Sequence, residues 1–179
     1  IDVAASYGTT TEDKAEEHIA FPADIYTDTG DVSVVLSPSV IANLTGAFRY
    51  IRDYPHFCWE QILTRGVMAA HYKALKPWIP DSFIWKEAEG LSQSMLDHAA
   101  NYQAPNGGMS YFVATDDHVD PYLSAYTALS FSWLKKDGYT IPPDVEGKLH
   151  AYLLNFLRQE AAPDFYQEGM KSTVRAVAL

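Results

Sequence analysis

The 179 residues correspond to one domain of ordinary size, or one domain with an appendage. Thirteen Lys and Arg against 23 Asp and Glu leave a formal charge of −10, which excludes a phosphate-tracking nucleic-acid binder because that footprint needs a basic face. Hydrophobic residues at 47% and aromatic residues at 13% exclude general disorder, and the single cysteine, Cys58, excludes an intrachain disulfide or a thiol-rich metal site.

No apolar run approaches the ~20 residues of a membrane-spanning helix, and the acidic start Ile1-Asp2-Val3 does not read as a signal peptide. The chain begins without methionine and stops in the uncapped helical run Arg175-Ala-Val-Ala-Leu179, so a piece of a longer protein is expected. Residues 1–37 read as β structure. Ile19, Phe21, Ala23 and Ile25 alternate with polar or small neighbours, and Val32 and Val34 alternate again after the turn Thr27-Asp28-Thr29-Gly30, which predicts a hairpin.

Pro38 closes the β segment, and from residue 39 onward the period is helical. Ile41, Leu44, Phe48 and Ile51 form a one-sided stripe. The next helix, 58–75, carries apolar or small residues on most sides and is expected to be buried. A third is predicted over 81–102 with Asp81 as its cap after Pro80, one-sided through Ile84, Ala88, Leu91, Met95, Ala99 and Tyr102. A fourth, 120–136, has Asp120 as cap, Pro121 at its first position and Gly138 as its stop. A fifth runs over 143–159 with Val145, Leu149, Tyr152 and Phe156 on one face, and a sixth from about 171 is apolar at Val174, Val177 and Leu179. One-sided and all-round apolar helices thus alternate, as a two-layer ring of helices requires. Gln103–Met109 and Pro163–Met170 share a Pro and a Gly-Met in the same order before an all-round helix, a weak internal repeat.

The densest chemistry lies in Tyr54-Pro-His-Phe-Cys-Trp-Glu-Gln61. Pro55 disfavours helix just before it, so Cys58 falls at a helix start, where unpaired amide N–H groups and the dipole favour a thiolate. Gln61 is three residues on, a spacing that puts the two side chains on one face. Attack of the sulfur on the amide carbon with loss of ammonia gives an internal thioester, which needs a dry setting that Tyr54, Phe57 and Trp59 can help supply. Glu60 either holds the Cys58–Gln61 turn or is a first-turn acid favoured by the dipole. The plain alternative is a buried structural cysteine.

The run Pro55-His-Phe-Cys-Trp-Glu-Gln61 resembles the Cys-x-Glu-Gln thioester motif of the alpha-2-macroglobulin and complement family, most closely its bacterial members. Asn106-Gly-Gly-Met-Ser-Tyr-Phe112 is similar to its Gly-Gly loop and Asp120-Pro-Tyr-Leu-Ser-Ala-Tyr126 to the inner helix that follows, so the resemblance runs from about Asp31 to the end. It implies a mainly α fold: residues 1–37 as the end of a CUB-type domain, and residues 38–179 as the N-terminal half of a thioester-containing α/α toroid. It also implies the activity of a stoichiometric endopeptidase inhibitor. A protease cleaves a bait region elsewhere in the parent chain, the Cys58–Gln61 thioester is exposed, and a lysine or hydroxyl of the attacker is acylated and trapped. The partners implied are target proteases and other domains of the parent, with no metal or organic cofactor, in a periplasmic or extracellular protein with a possible membrane anchor. The residue before the cysteine, often glycine in the family, is Phe57 here, and no downstream catalytic histidine is placed.

Two other functions compete. A cysteine hydrolase or transferase would pair Cys58 with His56 or a distant histidine, and a non-covalent helical scaffold would keep the motif as structure. Asp116-Asp-His-Val-Asp120 has metal-type donors but reads as a solvated loop ending in the Asp120 cap. His71, Asp97, His98 and His150 read as surface or satisfied groups. Half a toroid would expose apolar helix faces, so dimerisation is expected.

Overall fold

The computed structural model describes residues 4–24, 26, 28–34, 36, 41, 44–115, 118–159 and 162–179. The chain divides into two compact units, Ile1–Leu36 and Ser37–Leu179. In the first, the described residues form neither strand nor helix, so the hairpin expected over 1–37 is not formed among them; Ile25, Thr27 and Val35 lie outside the described residues. Phe21, Val32, Val34 and Leu36 are all exposed. Alternating side chains need an apolar surface to cover, and a two-stranded ribbon with nothing to pack on is marginal in water. Local order comes instead from contacts such as the Ser6 hydroxyl donating to Glu17 Oε2 at 2.6 Å.

The second unit contains six α-helices among its described residues: α1 Leu44–Asp53, α2 Trp59–Leu75, α3 Ala88–His98, α4 Pro121–Lys136, α5 Pro143–Gln159 and α6 Glu168–Ala178. Helix α2 packs on α4 and α4 on α6, while α1 and α3 pack on α2, and α5 on α4 and α6. The even-numbered helices therefore form one layer and the odd-numbered ones cover it. The main core joins Trp59, Leu63 and Val67 of α2 to Met95 and Leu96 of α3, Leu123, Phe131 and Leu134 of α4, and Leu149 and Leu153 of α5. Helices α2 and α3 approach closely at Gly66. Its carbonyl accepts from the buried Ser92 hydroxyl at 2.7 Å, and a Cβ there would lie 3.1 Å from Met95 Cβ.

Helix ends follow local chemistry at α4. Asp120 Oδ1 accepts from the Leu123 N–H at 3.0 Å, and Gly138, at φ +88°, closes a Schellman turn. In that turn Gly138 N–H donates to Lys135 O and Tyr139 N–H to Leu134 O, both at 3.0 Å.

Three expectations are corrected. The third helix begins at Ala88, not Asp81, and its last turn, Ala99–Tyr102, is 3-10. Asp81 is fully exposed and caps nothing, and Ile84 is exposed between the buried Phe83 and Trp85. Those two rings enter a second core with Phe48, Tyr72 and Ile79, and only an extended segment can send residues 83 and 85 inward while 84 faces out. Helix α6 starts at Glu168 and buries Val174 alone, with Val177 and Leu179 exposed. The internal repeat also breaks down: Gly107 and Gly108 lie in a turn, whereas Gly169 is in the first turn of α6.

Candidate functional site

Cys58 is the N-cap of α2, with extended backbone at φ −75° and ψ 169°. Its N–H donates to Gln61 Oε1 at 2.9 Å, and its sulfur faces the backbone N–H of Gln61 in the reciprocal half of a capping box. The two side chains therefore turn to the same end of the helix, each folded over the other's backbone. Cys58 and Gln61 are both half-buried, and the Cys58 carbonyl is already engaged, accepting from Ile62 N–H at 3.0 Å.

The residues around this pair lock it to α4. Trp59 is fully buried. It stacks on Tyr102 with ring centroids 5.1 Å apart, and its indole N–H donates to Thr127 Oγ1 at 2.9 Å. Its backbone N–H, the first free donor inside α2, donates to the Tyr111 carbonyl at 2.7 Å. Glu60 is half-buried, and its carbonyl accepts from the Thr64 hydroxyl at 2.7 Å. That hydroxyl also meets Tyr126 Oη at 3.0 Å. Burial, with Asp120, Glu60 and Cys58 adding negative charge nearby, pushes the Tyr111 hydroxyl up to about 12. Burial followed by Glu60 raises Tyr122 in the same way.

Tyr111 is held by the loop between α3 and α4. Gly107, at φ +92°, presses against the Lys148 carbonyl of α5, which leaves no room for a side chain. Gln103 Nε2 donates to Gly107 O at 3.0 Å and to Val145 O at 2.9 Å, tying the turn to α5 a second time. Met109 is fully buried; its N–H donates to Ser124 Oγ at 2.8 Å and its carbonyl accepts from Asp120 N–H at 3.1 Å. One loop thus supplies a carbonyl to the start of α2 and another to the start of α4.

The remaining predicted residues are dispersed. Of the aromatic neighbours, only Trp59 is fully buried. Tyr54 packs against Tyr50 and against His56, at centroid distances of 5.3 and 5.4 Å. Phe57 is exposed beneath the Arg65 guanidinium, 5.4 Å from its ring centroid, and Pro55 is exposed. His56 is exposed and makes no hydrogen bond with Cys58 among the described residues. Sequence reasoning missed Tyr111, Tyr102, Tyr126 and Thr127; Tyr111 was visible only as part of the Gly-Gly stretch, and nothing in its side chain announces what its carbonyl does.

Asp116 and Asp117 lie outside the described residues, and among the rest no group of three or more His, Cys, Asp or Glu is disposed to hold a metal ion. The His118 carbonyl accepts from Ser110 Oγ at 2.5 Å. His71 lies 3.5 Å from Asp137, His98 Nδ1 is 2.6 Å from Ser94 O, Asp97 accepts from Gln93, and His150 is 4.0 Å from Glu146. Among the described residues no helix is long and apolar enough to cross a membrane.

No protein-family model matches the chain. The alpha-2-macroglobulin homolog of Yersinia pestis is 26% identical over 137 residues, which is 76% of this chain and 6% of that protein. Solved bacterial alpha-2-macroglobulins share the fold. Native Escherichia coli alpha-2-macroglobulin, spanning domain MG7 to the C-terminus, matches 76% of this chain and 22% of its own at a TM-score of 0.60 and 20% identity. Salmonella alpha-2-macroglobulin reacted with methylamine matches 76% of this chain and 9% of its own at a TM-score of 0.62 and 20% identity. The chain therefore spans a small fraction of the relatives it matches, and its mainly helical fold matches the C-terminal region of the Escherichia coli protein. In sequence this chain is similar to a bacterial alpha-2-macroglobulin homolog, and in fold to solved bacterial alpha-2-macroglobulins.

Proposed function

We propose that this chain is part of an endopeptidase inhibitor of the alpha-2-macroglobulin type, in which Cys58 and Gln61 condense to an internal thioester that traps attacking proteases. The observation that carries the reading is the Cys58 N–H donating to Gln61 Oε1 at 2.9 Å. That bond holds the amide at the N-terminus of α2 and polarises its carbonyl, and it is placed to stabilise negative charge on Oε1 as the sulfur attacks. Cys58 Sγ bonds to Gln61 Cδ, the C–N bond breaks, and ammonia leaves with the thiol proton. In the trapping step a lysine amine or a hydroxyl of the protease attacks the same carbon. The S–C bond breaks, the sulfur leaves as thiolate and regains a proton, and Gln61 stays covalently joined to the target. The acyl group is consumed, so this is a single-use snare rather than a turnover enzyme.

The structure of the Salmonella relative was determined after reaction with methylamine, the small amine expected to open such a bond. In this reading α2, α4 and α6 are inner helices of an α/α toroid, and the exposed Met170 and Val177 of α6 mark the edge where its next helices pack. Residues 1–37, which form no strand among the described residues, would belong to a CUB-type domain whose remainder supplies the partner surface that Phe21, Val32 and Val34 lack. The parent is placed in the periplasm or outside the cell, with a possible membrane anchor. The test is intact-mass measurement of the full-length parent: a deficit of one ammonia, restored as one methylamine adduct after treatment, is expected. A mass equal to that of the unmodified sequence, with no adduct after methylamine, rejects the thioester.

A further inference from the structure

A groove of about 250 Å³ lies along α2 and α3. Ile62, Leu91 and Met95 line it with aliphatic surface, and Phe57 and Tyr102 add two rings. These side chains are within reach of a partner: Phe57 is 63% exposed, and Ile62, Leu91 and Tyr102 are half-buried. Drug-sized ligands occupy about 300–1,000 Å³, so this groove fits a single side chain of a protein partner. Its charged lining is Arg65 and His98, with no Asp or Glu, although the chain carries −10 overall. Arg65 lies over the Phe57 ring and spends Nη2 on the Arg52 carbonyl at 3.3 Å, which leaves Nη1 open among the described residues. His98 Nδ1 is 2.6 Å from Ser94 O. A carbonyl only accepts, so Nδ1 holds a proton and the ring is cationic once Nε2 takes another. The acids beside these cations are engaged elsewhere, Asp97 by Gln93 and Asp53 by Arg52.

We infer that this groove docks an acidic segment of a partner protein, one apolar side chain entering the groove while a neighbouring carboxylate pairs with Arg65 and His98. The apolar lining rewards burial of that side chain, and the sign of the lining charge favours an acidic segment over a basic one. Phe57 precedes Cys58 and Ile62 follows Gln61, so a docked segment lies beside that pair. The inference itself does not require the thioester.

The test is titration of the chain, labelled at its methionine methyl groups, with the capped tripeptide Glu-Leu-Glu and, separately, with Lys-Leu-Lys at fixed pH and ionic strength. The readout is the Met95 methyl resonance, assigned by its disappearance in Met95→Leu. A saturable shift with the acidic peptide is expected, while Met109, fully buried in the main core, stays in place. The acidic peptide should bind about tenfold more tightly than the basic one. Arg65→Gln should weaken it about threefold and leave capped Gln-Leu-Gln unaffected. Ser94 is exposed on α3, so Ser94→Trp fills the groove from outside the core and should abolish binding. No saturation by the acidic peptide, equal affinity for the acidic and basic peptides, or undiminished binding in Ser94→Trp overturns the inference. A dimer in sedimentation that Ser94→Trp dissociates assigns the groove to a second copy and overturns it as well.

Discussion

Helices α2 and α4 lie in the same layer and start in opposite ways. Asp120 caps α4 with a strong acceptor: Oδ1 takes both the Leu123 N–H at 3.0 Å and the Tyr166 hydroxyl at 2.9 Å, and Pro121 presets the first helical turn. Helix α2 has Cys58 in the equivalent place, and sulfur is a weak acceptor outside the group of good caps. Its first donors are satisfied elsewhere, by Gln61 Oε1 and by the distant Tyr111 carbonyl. One start is built for stability. The other places a nucleophile where a cap belongs and recruits a loop to make up the loss.

Five experiments test that contrast. The largest effect is expected for Cys58→Asp in the full-length parent, where methylamine incorporation read by intact mass should vanish entirely; a retained adduct would remove Cys58 from the chemistry. Next is Gly107→Ala. It adds a Cβ against the Lys148 carbonyl at a positive φ, and it should cost about 3 kcal/mol by urea unfolding because the loop serving both helix starts must move. An effect within experimental error would mean that the loop does not couple them.

Asp120→Ala should lower stability by about 1–2 kcal/mol, and combining it with Tyr166→Phe should give less than the sum, since both remove the same hydrogen bond. Additive losses in that double-mutant cycle would show that the tyrosine acts independently of the cap.

The fourth effect is alkaline. Burial raises Tyr111 and Tyr152 from 10.0 to about 12, so the folded state holds their protons more tightly than the unfolded state does. Their contribution is complete below pH 10 and is lost as pH rises through 12. The urea midpoint should be level up to pH 10 and then fall, with a shallower fall in Tyr152→Phe. The smallest effect is a gain: in the isolated chain Cys58→Asp should raise stability by about 0.5–1 kcal/mol. A loss there would mean that α2 is not giving up a good cap, and the comparison with α4 would fail.

The start of α4 was legible because every signal acts within one turn: Asp120 and Pro121 at one end, Gly138 at the other. The bounds of α5 were legible for the same reason, its apolar period running unbroken from Val145 to Phe156. At α3 the reading failed because Ile84 continues the stripe of Ala88, Leu91 and Met95 on paper, yet the aromatic core around Phe48 and Tyr72 draws the flanking Phe83 and Trp85 inward instead. The first unit failed differently. Alternation describes a strand only if a sheet accepts it, and a strand's backbone pairs with another segment, whereas a helix pairs with itself.

At the site, the three-residue spacing of Cys58 and Gln61 was enough to put them on one side of a helix, and the structure finds them folded over each other. The outward turn of Phe57 was not readable, because it depends on the Arg65 guanidinium that α2 brings over the ring. Nor was the bond from the Trp59 indole to Thr127, which joins residues 68 apart in the chain.

What the amino-acid order determined alone was local: where α2 and α4 begin, which residues cap them, and that a thiol and a carboxamide share one helix end. These follow from backbone dihedrals and hydrogen bonds that close within about four residues. Three-dimensional packing settled which carbonyl reaches the Trp59 amide, which aromatic rings surround the pair and which face out, and where Arg65 leaves a donor unpaired. Those outcomes depend on packing between segments far apart in the chain, where shape and burial outweigh local preference.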